Sequence, residues 1–480
     1  MKLYELIGNI DSKLSDIEIK GITTDSRLVE EGFAYICIKG TVNDGHNFAM
    51  SAKEKGAAVI IAEKETGTGI DIIVDDTHAA FATMSAKWFD CPADKLKLIG
   101  VTGTNGKTSV TYMIKKILEA NGEKVGLIGT IQNMIGEEII ETKHTTPDCY
   151  KLNELFALMV QKGCTYVVME VSSHALDQKR VYGVEFEAAV FTNLTQDHLD
   201  YHVTMENYML AKKRLFSMCK TAIINSDDKY AESIAEGLDC KAILLSAEND
   251  KATYYAKDID YKADGVGFVL CSNGIELPLN MNTGGKFTVY NAMSAAVSTL
   301  TVGVSEEIIS EALSAQSGVK GRAEVVKNPF DFTIIIDYAH TPDGLSNILN
   351  TFAECKKGRL IALFGCGGDR DKTKRPIMGE IAAEKADFLI VTSDNPRSEN
   401  PQSIIEDILS GVKNKNTPYV AIENRIEAIN YAIENAKKGD IIVLAGKGHE
   451  TYQILADRTI HLDEREIVAE AIEKRKEAEK

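Results

Sequence analysis

Residues Gly100-Val101-Thr102-Gly103-Thr104-Asn105-Gly106-Lys107-Thr108 stand between an apolar run, Leu96–Thr102, and a helical pattern from Lys107 to Ala120. A buried strand, a glycine-rich turn and a helix in that order form the context of a phosphate-binding loop. The glycines let backbone N–H groups turn toward an anion, and the helix N-terminus adds the positive end of its dipole. Lys107 can reach the β- and γ-phosphates, and Thr108 can place its hydroxyl on Mg²⁺. The strict GxxxxGK[ST] spacing fails, because Val101 stands where glycine is required. The bland alternative is a glycine-rich strand–helix turn with an ordinary surface lysine.

Outward from the loop, strand and helix keep alternating. Buried strands are predicted at Tyr166–Val171, Ala188–Thr192 and Thr221–Ile224, which indicates a parallel sheet covered on both faces. Between Tyr254 and Met281 short alternating runs with Gly and Asn turns read as an antiparallel insert, followed by helices over 289–301 and 305–315. Upstream, Phe33–Ile38 and Ala57–Ala62 read as strands, and Phe48–Lys55 and Thr77–Phe89 as helices. Cys91-Pro92-Ala93-Asp94 punctuates the chain, which places a boundary near residue 95. After Gly321-Arg322 the alternation restarts, with strands at Phe332–Asp337, Arg359–Phe364, Phe388–Thr392, Tyr419–Ile422 and Ile441–Ala445. This is a second doubly wound unit. Glu464–Lys480, mixed in charge at helical spacing, reads as a solvated terminal helix.

The chain has 480 residues, so about three domains are expected. The fold class is α/β, divided 1–95, 96–321 and 322–480. Net charge is −17, which disfavours a general nucleic-acid binder while permitting a local basic pocket. Nine scattered cysteines contain no CxxC, which fits reduced thiols rather than a zinc ribbon or disulfide framework. The N-terminus carries charge too early for a signal peptide, and no run of about 18 apolar residues suggests a membrane span. A cytoplasmic protein, monomeric and without nucleic-acid partners, is expected.

Phosphoryl transfer assisted by a metal needs carboxylates near the phosphates. Glu170 ends a buried strand, where an ionised side chain is costly unless paired; the alternative is a carboxylate reaching solvent at the sheet edge. His198 and His202 are spaced i and i+4, but the central Glu of HExxH is missing and no thiol lies nearby in sequence, so zinc is not expected. Asp337, at the carboxyl end of a strand, reads equally as a ligand contact and as the N-cap of a helix starting near Pro342. Gly365-Cys366-Gly367-Gly368-Asp369-Arg370 could open a dinucleotide fingerprint, but Arg370 replaces the third glycine and tight-turn glycines explain it as well.

Taken together, these motifs resemble the Mur ligase superfamily, ATP-dependent amide-forming enzymes of cell-wall precursor synthesis. The resemblance covers essentially the whole chain. It rests on Thr24–Arg27, Gly103–Thr108, His144-Thr145-Thr146-Pro147, Met169–His174, Asn193–Asp200, Ala211-Lys212, Tyr290-Asn291-Ala292, Gly321-Arg322, Asp337–Pro342 and Gly446–Glu450. It implies an N-terminal α/β UDP-binding domain, a central P-loop-type ATPase domain with a mostly parallel sheet, and a C-terminal Rossmann-like domain. The implied activity adds the third residue of the peptide stem to UDP-N-acetylmuramoyl-L-alanyl-D-glutamate, through an acyl phosphate, with ATP and Mg²⁺.

Carried over by motif, Lys107, Glu170, His198 and Lys212 are catalytic. Thr108 and Glu170 would hold one Mg²⁺, Glu170 and His198 would contribute to a second, and Lys212 as a carbamate (N6-carboxylysine) would bind metal close to the γ-phosphate. On sequence alone Lys212 would read as a solvated helix lysine beside Lys213. Gly103, Thr104, Asn105, Gly106, Lys107, Thr108, Asn291, Arg322, Asp337 and His340 match ATP contacts. Thr24, Ser26, Thr145, Thr146, Ser172, Gln178 and Arg180 match contacts to the UDP-muramoyl dipeptide. One departure is Thr288, where the family often has Phe-Asn.

Ser393-Asp394-Asn395-Pro396-Arg397 follows a predicted strand and, alone, is an ordinary proline turn with an exposed arginine. Within the family it resembles the motif of members that add meso-diaminopimelate. That amino acid differs from L-lysine by a far-end carboxylate, which a guanidinium can hold with two parallel hydrogen bonds. Asp394, Asn395, Pro396 and Arg397, with Arg370, Gly446 and Glu450, would form its site. The competing expectations are ligation of L-lysine, a folylpolyglutamate synthase-like ligase, an ATP-hydrolysing switch, and a non-catalytic nucleotide-binding module.

Overall fold

A computed structural model of the chain describes residues 1–8, 13–40, 43–142, 144–262, 264–316 and 318–478. Apolar runs that are buried on both faces form the centres of three sheets. The first has four parallel strands in the order Gly21–Thr23, Phe33–Ile36, Val59–Ala62 and Asp71–Ile73. The second has eleven strands. At its centre Lys97–Thr102 lies parallel between Tyr166–Glu170 and Phe186–Phe191. This is the fully covered position that its uninterrupted apolar sequence requires.

The third sheet runs Glu324–Val326, Thr333–Asp337, Ile441–Ala445, Leu360–Phe364, Phe388–Val391, Tyr419–Ala421. All its pairings are parallel except the first. Two packed clusters cover the two faces of this sheet, and two more cover the faces of the central one.

Three sequence expectations need correction. The antiparallel segment is no separate insert. Tyr254–Tyr261 pairs parallel with Lys241–Ser246, and Val266–Ser272 and Ile275–Met281 continue the same central sheet. The strands Val125–Ile128 and Lys241–Ser246 were not expected at all; both are short, and one contains glycine. The terminal helix, Glu464–Ala478, is not simply solvated: Ile467, Val468, Ala471 and Ile472 pack with Ala428, Ile429, Ala432 and Ile433 of the helix Arg425–Glu434. Residues 479–480 of that predicted helix lie outside the described residues. Among the described residues no helix is long and apolar enough to cross a membrane.

Candidate functional site

The loop after Lys97–Thr102 enters the helix Lys107–Ala120, as its sequence demands. Gly103 has φ +147° and Gly106 φ +86°, and a Cβ on Gly103 would lie 1.9 Å from Thr192 Oγ1. Only glycine fits there. Lys107 Nζ, half-buried, donates to the carbonyls of Gly103 and Thr104 at 2.9 and 2.8 Å. Thr104 is tied to Asn193, Thr195 and Tyr208. Asn105 N–H donates to Asn193 Oδ1 at 2.9 Å.

Lys212 is 1% exposed, which overturns the solvated-helix reading. The helix Met205–Lys213 carries it inward, over the Tyr208 ring at 4.4 Å, and its Nζ donates to Gly103 O at 2.8 Å. Burial, and then the neighbouring Lys107 charge, push its pKa well below the ordinary lysine range. Burial lowers that of Lys107 as well.

Glu170 is 0% exposed and lies on an interior strand, not at a sheet edge. Its Oε1 accepts from Thr108 Oγ1 and Thr130 N, and its Oε2 from Thr130 Oγ1, each at 2.9 Å. Thr130 follows the unexpected strand Val125–Ile128, and sequence reasoning missed it. Its own hydroxyl proton goes to Glu170, so Thr145 Oγ1, 3.0 Å away, donates to Thr130.

From Glu170 the network continues into the other predicted contacts. Thr146 Oγ1 donates to Glu170 O at 2.8 Å and accepts from Ser172 N at 3.1 Å. Arg180 donates to Thr146 O at 2.7 Å and to Gln178 Oε1 at 2.7 Å. Thr145, Thr146, Ser172, Gln178 and Arg180 are thus joined in one hydrogen-bonded network. Thr24 and Ser26 lie in the turn after Gly21–Thr23. Between them, hydrogen bonds from Arg27 hold the Asp25 carboxyl down to about 2.

His198 has φ +53° and packs edge-on against His174 at 4.9 Å, with Asp197 3.4 Å from its Nε2. Burial lowers its pKa. His202 is buried and bonds Ser173 Oγ at 2.9 Å, a satisfied core histidine. Among the described residues no three His, Cys, Asp or Glu side chains gather as a metal site.

The remaining nucleotide candidates lie on the helix Lys286–Thr301 and around the C-terminal sheet. Asn291 Oδ1 faces Gly106, where a Cβ would meet it at 2.6 Å. Thr288 Oγ1 donates back to Gly284 O at 2.9 Å, just before its own helix Lys286–Thr301. Asp337 does not cap the helix Pro342–Ala353; Thr341 does, accepting from Gly344 N. Asp337 instead accepts from Ala323 N at 2.6 Å and Ala339 N at 2.8 Å. Arg322 lies over the Tyr338 ring, 4.9 Å from its centroid, and its Nε is buried with no hydrogen-bond partner among the described residues. His340 Nδ1 lies 2.8 Å from Tyr338 O. Asp343 Oδ2 accepts from Thr195 Oγ1 at 2.6 Å and Asn105 Nδ2 at 3.3 Å, which ties this sheet's first helix to the phosphate loop.

The glycines at 365–368 serve packing rather than a dinucleotide turn. A Cβ on Gly368 would lie 1.9 Å from Pro396 O, and one on Gly365 2.3 Å from Thr392 O. The two loops therefore close on each other. Arg397, at φ +51°, donates to Gly368 O at 2.7 Å. Its Nη1 lies 2.9 Å and the Arg370 Cγ 3.8 Å from a Cβ placed on Gly367, so both arginines flank that glycine.

Opposite charge gathers beside them. Lys447, fully buried and not among the expected site residues, donates to Asn395 Oδ1 at 3.1 Å and Glu450 Oε2 at 3.0 Å. Asn395 Nδ2 also donates to Glu450 at 3.0 Å. Asp394 lies 3.6 Å from Lys447, and its buried Oδ1 has no hydrogen-bond partner among the described residues. Gly446, at φ +117°, abuts the Asp394 carboxylate.

Three family descriptions match the chain: "Mur ligase family, catalytic domain" over 18–86, "Mur ligase middle domain" over 101–299, and "Mur ligase, glutamate ligase domain" over 321–448. A Clostridium acetobutylicum protein, UDP-N-acetylmuramoyl-L-alanyl-D-glutamate–2,6-diaminopimelate ligase 1, is 50% identical over 489 aligned residues, covering 98% of this chain and 99% of its own. The ligase of the same name from Caldanaerobacter subterraneus subsp. tengcongensis is 48% identical, with coverage of 98% and 99%. A solved structure described as such a ligase is 33% identical, with a TM-score of 0.76 and 99% of each chain covered.

Proposed function

The chain belongs to the Mur ligase family, and on that premise we propose that it joins meso-diaminopimelate to the D-glutamyl side-chain carboxylate of UDP-N-acetylmuramoyl-L-alanyl-D-glutamate, using ATP. The proposed domains are 1–95 for the UDP-linked precursor, 96–321 for ATP and 322–480 for the amino acid. It works as a cytoplasmic monomer.

A carboxylate is a poor electrophile, so the substrate oxygen first attacks the γ-phosphorus and ADP leaves. The amine of the incoming amino acid then attacks the acyl phosphate, an amide forms, and phosphate leaves. Both steps build anionic charge, which the Lys107 ammonium stabilises by position. Gly103, Thr104, Gly106 and Asn291 shape the phosphate pocket, and Arg322, Asp337 and His340 close on the nucleotide from the C-terminal sheet. Thr145, Thr146, Ser172, Gln178 and Arg180, with Thr24 and Ser26, hold the UDP-linked peptide.

The Thr108 hydroxyl beside the Glu170 carboxylate is an oxygen donor set that suits Mg²⁺. Thr108 and Glu170 would hold one ion, Glu170 and His198 would contribute to a second, and a carbamylated Lys212 would bind metal near the γ-phosphate; the ions would supply charge neutralisation at the phosphates. Carbamylation needs a neutral amine, and the buried surroundings of Lys212 favour that form.

One observation carries the choice of amino acid. The Arg397 guanidinium and the Arg370 stem flank Gly367, while Asp394 and Glu450 gather around Lys447. Cationic and anionic groups side by side match a zwitterionic end, and a fixed guanidinium repels the terminal ammonium of lysine. The test is ADP release with the UDP-muramoyl dipeptide across a panel of amino acids. Preference for meso-diaminopimelate is expected; comparable turnover of L-lysine would overturn the choice.

A further inference from the structure

Arg425 and Glu464 form an ion pair whose two side chains are both 0% exposed, and neither belongs to any motif discussed above. Arg425 Nε and Nη2 lie 2.8 and 2.7 Å from Glu464 Oε1. The rest of the guanidinium is spent on main chain: Nη2 donates to Ala445 O at 2.9 Å and Nη1 to Ser393 O at 3.3 Å. Those carbonyls belong to the residues immediately before Gly446 and Asp394. The strands they follow, Ile441–Ala445 and Phe388–Val391, are not neighbours, because Leu360–Phe364 lies between them. One planar fork therefore spans a strand and fixes the distance between the two loops of the amino-acid cleft.

Stability alone does not account for such a pair. Desolvating two charges cancels most of their attraction, and apolar replacements of similar volume often fold as well. Glu464 Oε2 also remains buried with no hydrogen-bond partner among the described residues. A positional role explains why the arrangement is a forked cation bound to two carbonyls rather than a pair of leucines.

We infer that Arg425 is a positioning residue for amino-acid selection: it holds the Asp394–Arg397 and Gly446–Glu450 loops at the spacing their ligand needs, and Glu464 of the terminal helix holds Arg425 in register. The inference rests on the reading of this cleft as the amino-acid site. It makes the terminal helix part of the specificity apparatus, although no residue of that helix is assigned to the substrate.

The test compares Arg425→Lys and the double variant Arg425→Met/Glu464→Leu with the unmodified enzyme. KM is measured for all three substrates, together with kcat and the thermal midpoint. The double variant removes both charges of the pair and leaves neither uncompensated, so it should fold; Arg425→Lys keeps the charge and loses the fork. Both should raise KM for the amino acid about tenfold or more, the scale of a displaced positioning group. KM for ATP and for the UDP-linked dipeptide should stay within about twofold. A merely structural role would instead lower kcat with the active fraction and move no single KM. If the amino-acid KM stays at the parent value in folded Arg425→Lys or the folded double variant, or if all three KM values rise together, the inference fails. If the unmodified enzyme selects another amino acid, the choice of diaminopimelate fails separately, and the same KM comparison is read with the amino acid it does select.

Discussion

Lys107 and Lys212 donate to the same oxygen, the carbonyl of Gly103, at 2.9 and 2.8 Å. Two ammonium groups on one acceptor repel, and both are lowered from the ordinary lysine range, first by burial. The two differ in purpose. Lys107 opens the helix behind the loop and can swing to a phosphate, whereas Lys212 is enclosed and gains most from giving up its proton.

Lys107→Ala should lose about 10²–10³ in kcat, the usual cost of removing one preorganised charge stabiliser. Its fold should be retained, because the side chain contributes two hydrogen bonds to loop carbonyls and little packing. Steady-state ligation alongside circular dichroism checks both halves of this expectation.

For Lys212→Ala, near-complete inactivity is expected, with partial recovery on adding a small carboxylate that replaces the missing anion. Labelled bicarbonate should give a carbamate signal in the parent enzyme that disappears in the variant. Full activity of the alanine variant would return Lys212 to a structural role.

Thr130→Val keeps the backbone donor to Glu170 Oε1 but removes the hydroxyl donor to Oε2. The freed carboxylate should raise the Mg²⁺ concentration for half-maximal ligation about tenfold, the lower end of the effect of removing a group that orients a metal ligand. Titration of Mg²⁺ at saturating ATP measures it; an unchanged curve would mean that Thr130 N–H and Thr108 suffice.

Arg397→Ala should reduce the kcat/KM ratio of meso-diaminopimelate to L-lysine by at least about 30-fold, equivalent to about 2 kcal/mol for one desolvated charge pair. Turnover of diaminopimelate should fall, and that of L-lysine should rise as the repulsion is removed. Both amino acids need measuring in parallel with the parent enzyme.

Acid should weaken the fold partly through His449. Burial, with Arg322, Arg465, Lys320 and His340 nearby, pushes its pKa down to about 4, and its buried Nδ1 has no hydrogen-bond partner among the described residues. Between the ordinary value near 6.5 and 4, the unfolded chain takes a proton that the folded one refuses. Stability therefore falls as pH drops through that window, by up to about 3 kcal/mol. Denaturant midpoints of parent and His449→Gln, followed from pH 7 to pH 4, should converge as acid is added.

The strand, glycine turn and helix around Lys107 were legible because their signal is local and contiguous in sequence. Lys97–Thr102 and Ile441–Ala445 were legible as strands because they are buried on both faces and carry no alternation to misread. Thr130 was not. It matters only because Val125–Ile128 lies beside Tyr166–Glu170, a pairing of residues about forty apart that no local pattern announces. Lys447, Arg425 and Glu464 were missed for the opposite reason: charged residues read as surface, and their burial depends on partners brought from other elements.

Asp343 places a carboxylate of the C-terminal sheet's first helix on the rim of a loop built to receive anions. Thr195 and Asn105 are then donors with an internal occupant, present at the high effective concentration of a tethered group. A triphosphate at this loop would bring like charge toward that carboxylate, so its entry and the seating of this helix would oppose one another. Weak anions would then face an occupied rim, and a ligand would have to offer several contacts at once to displace it.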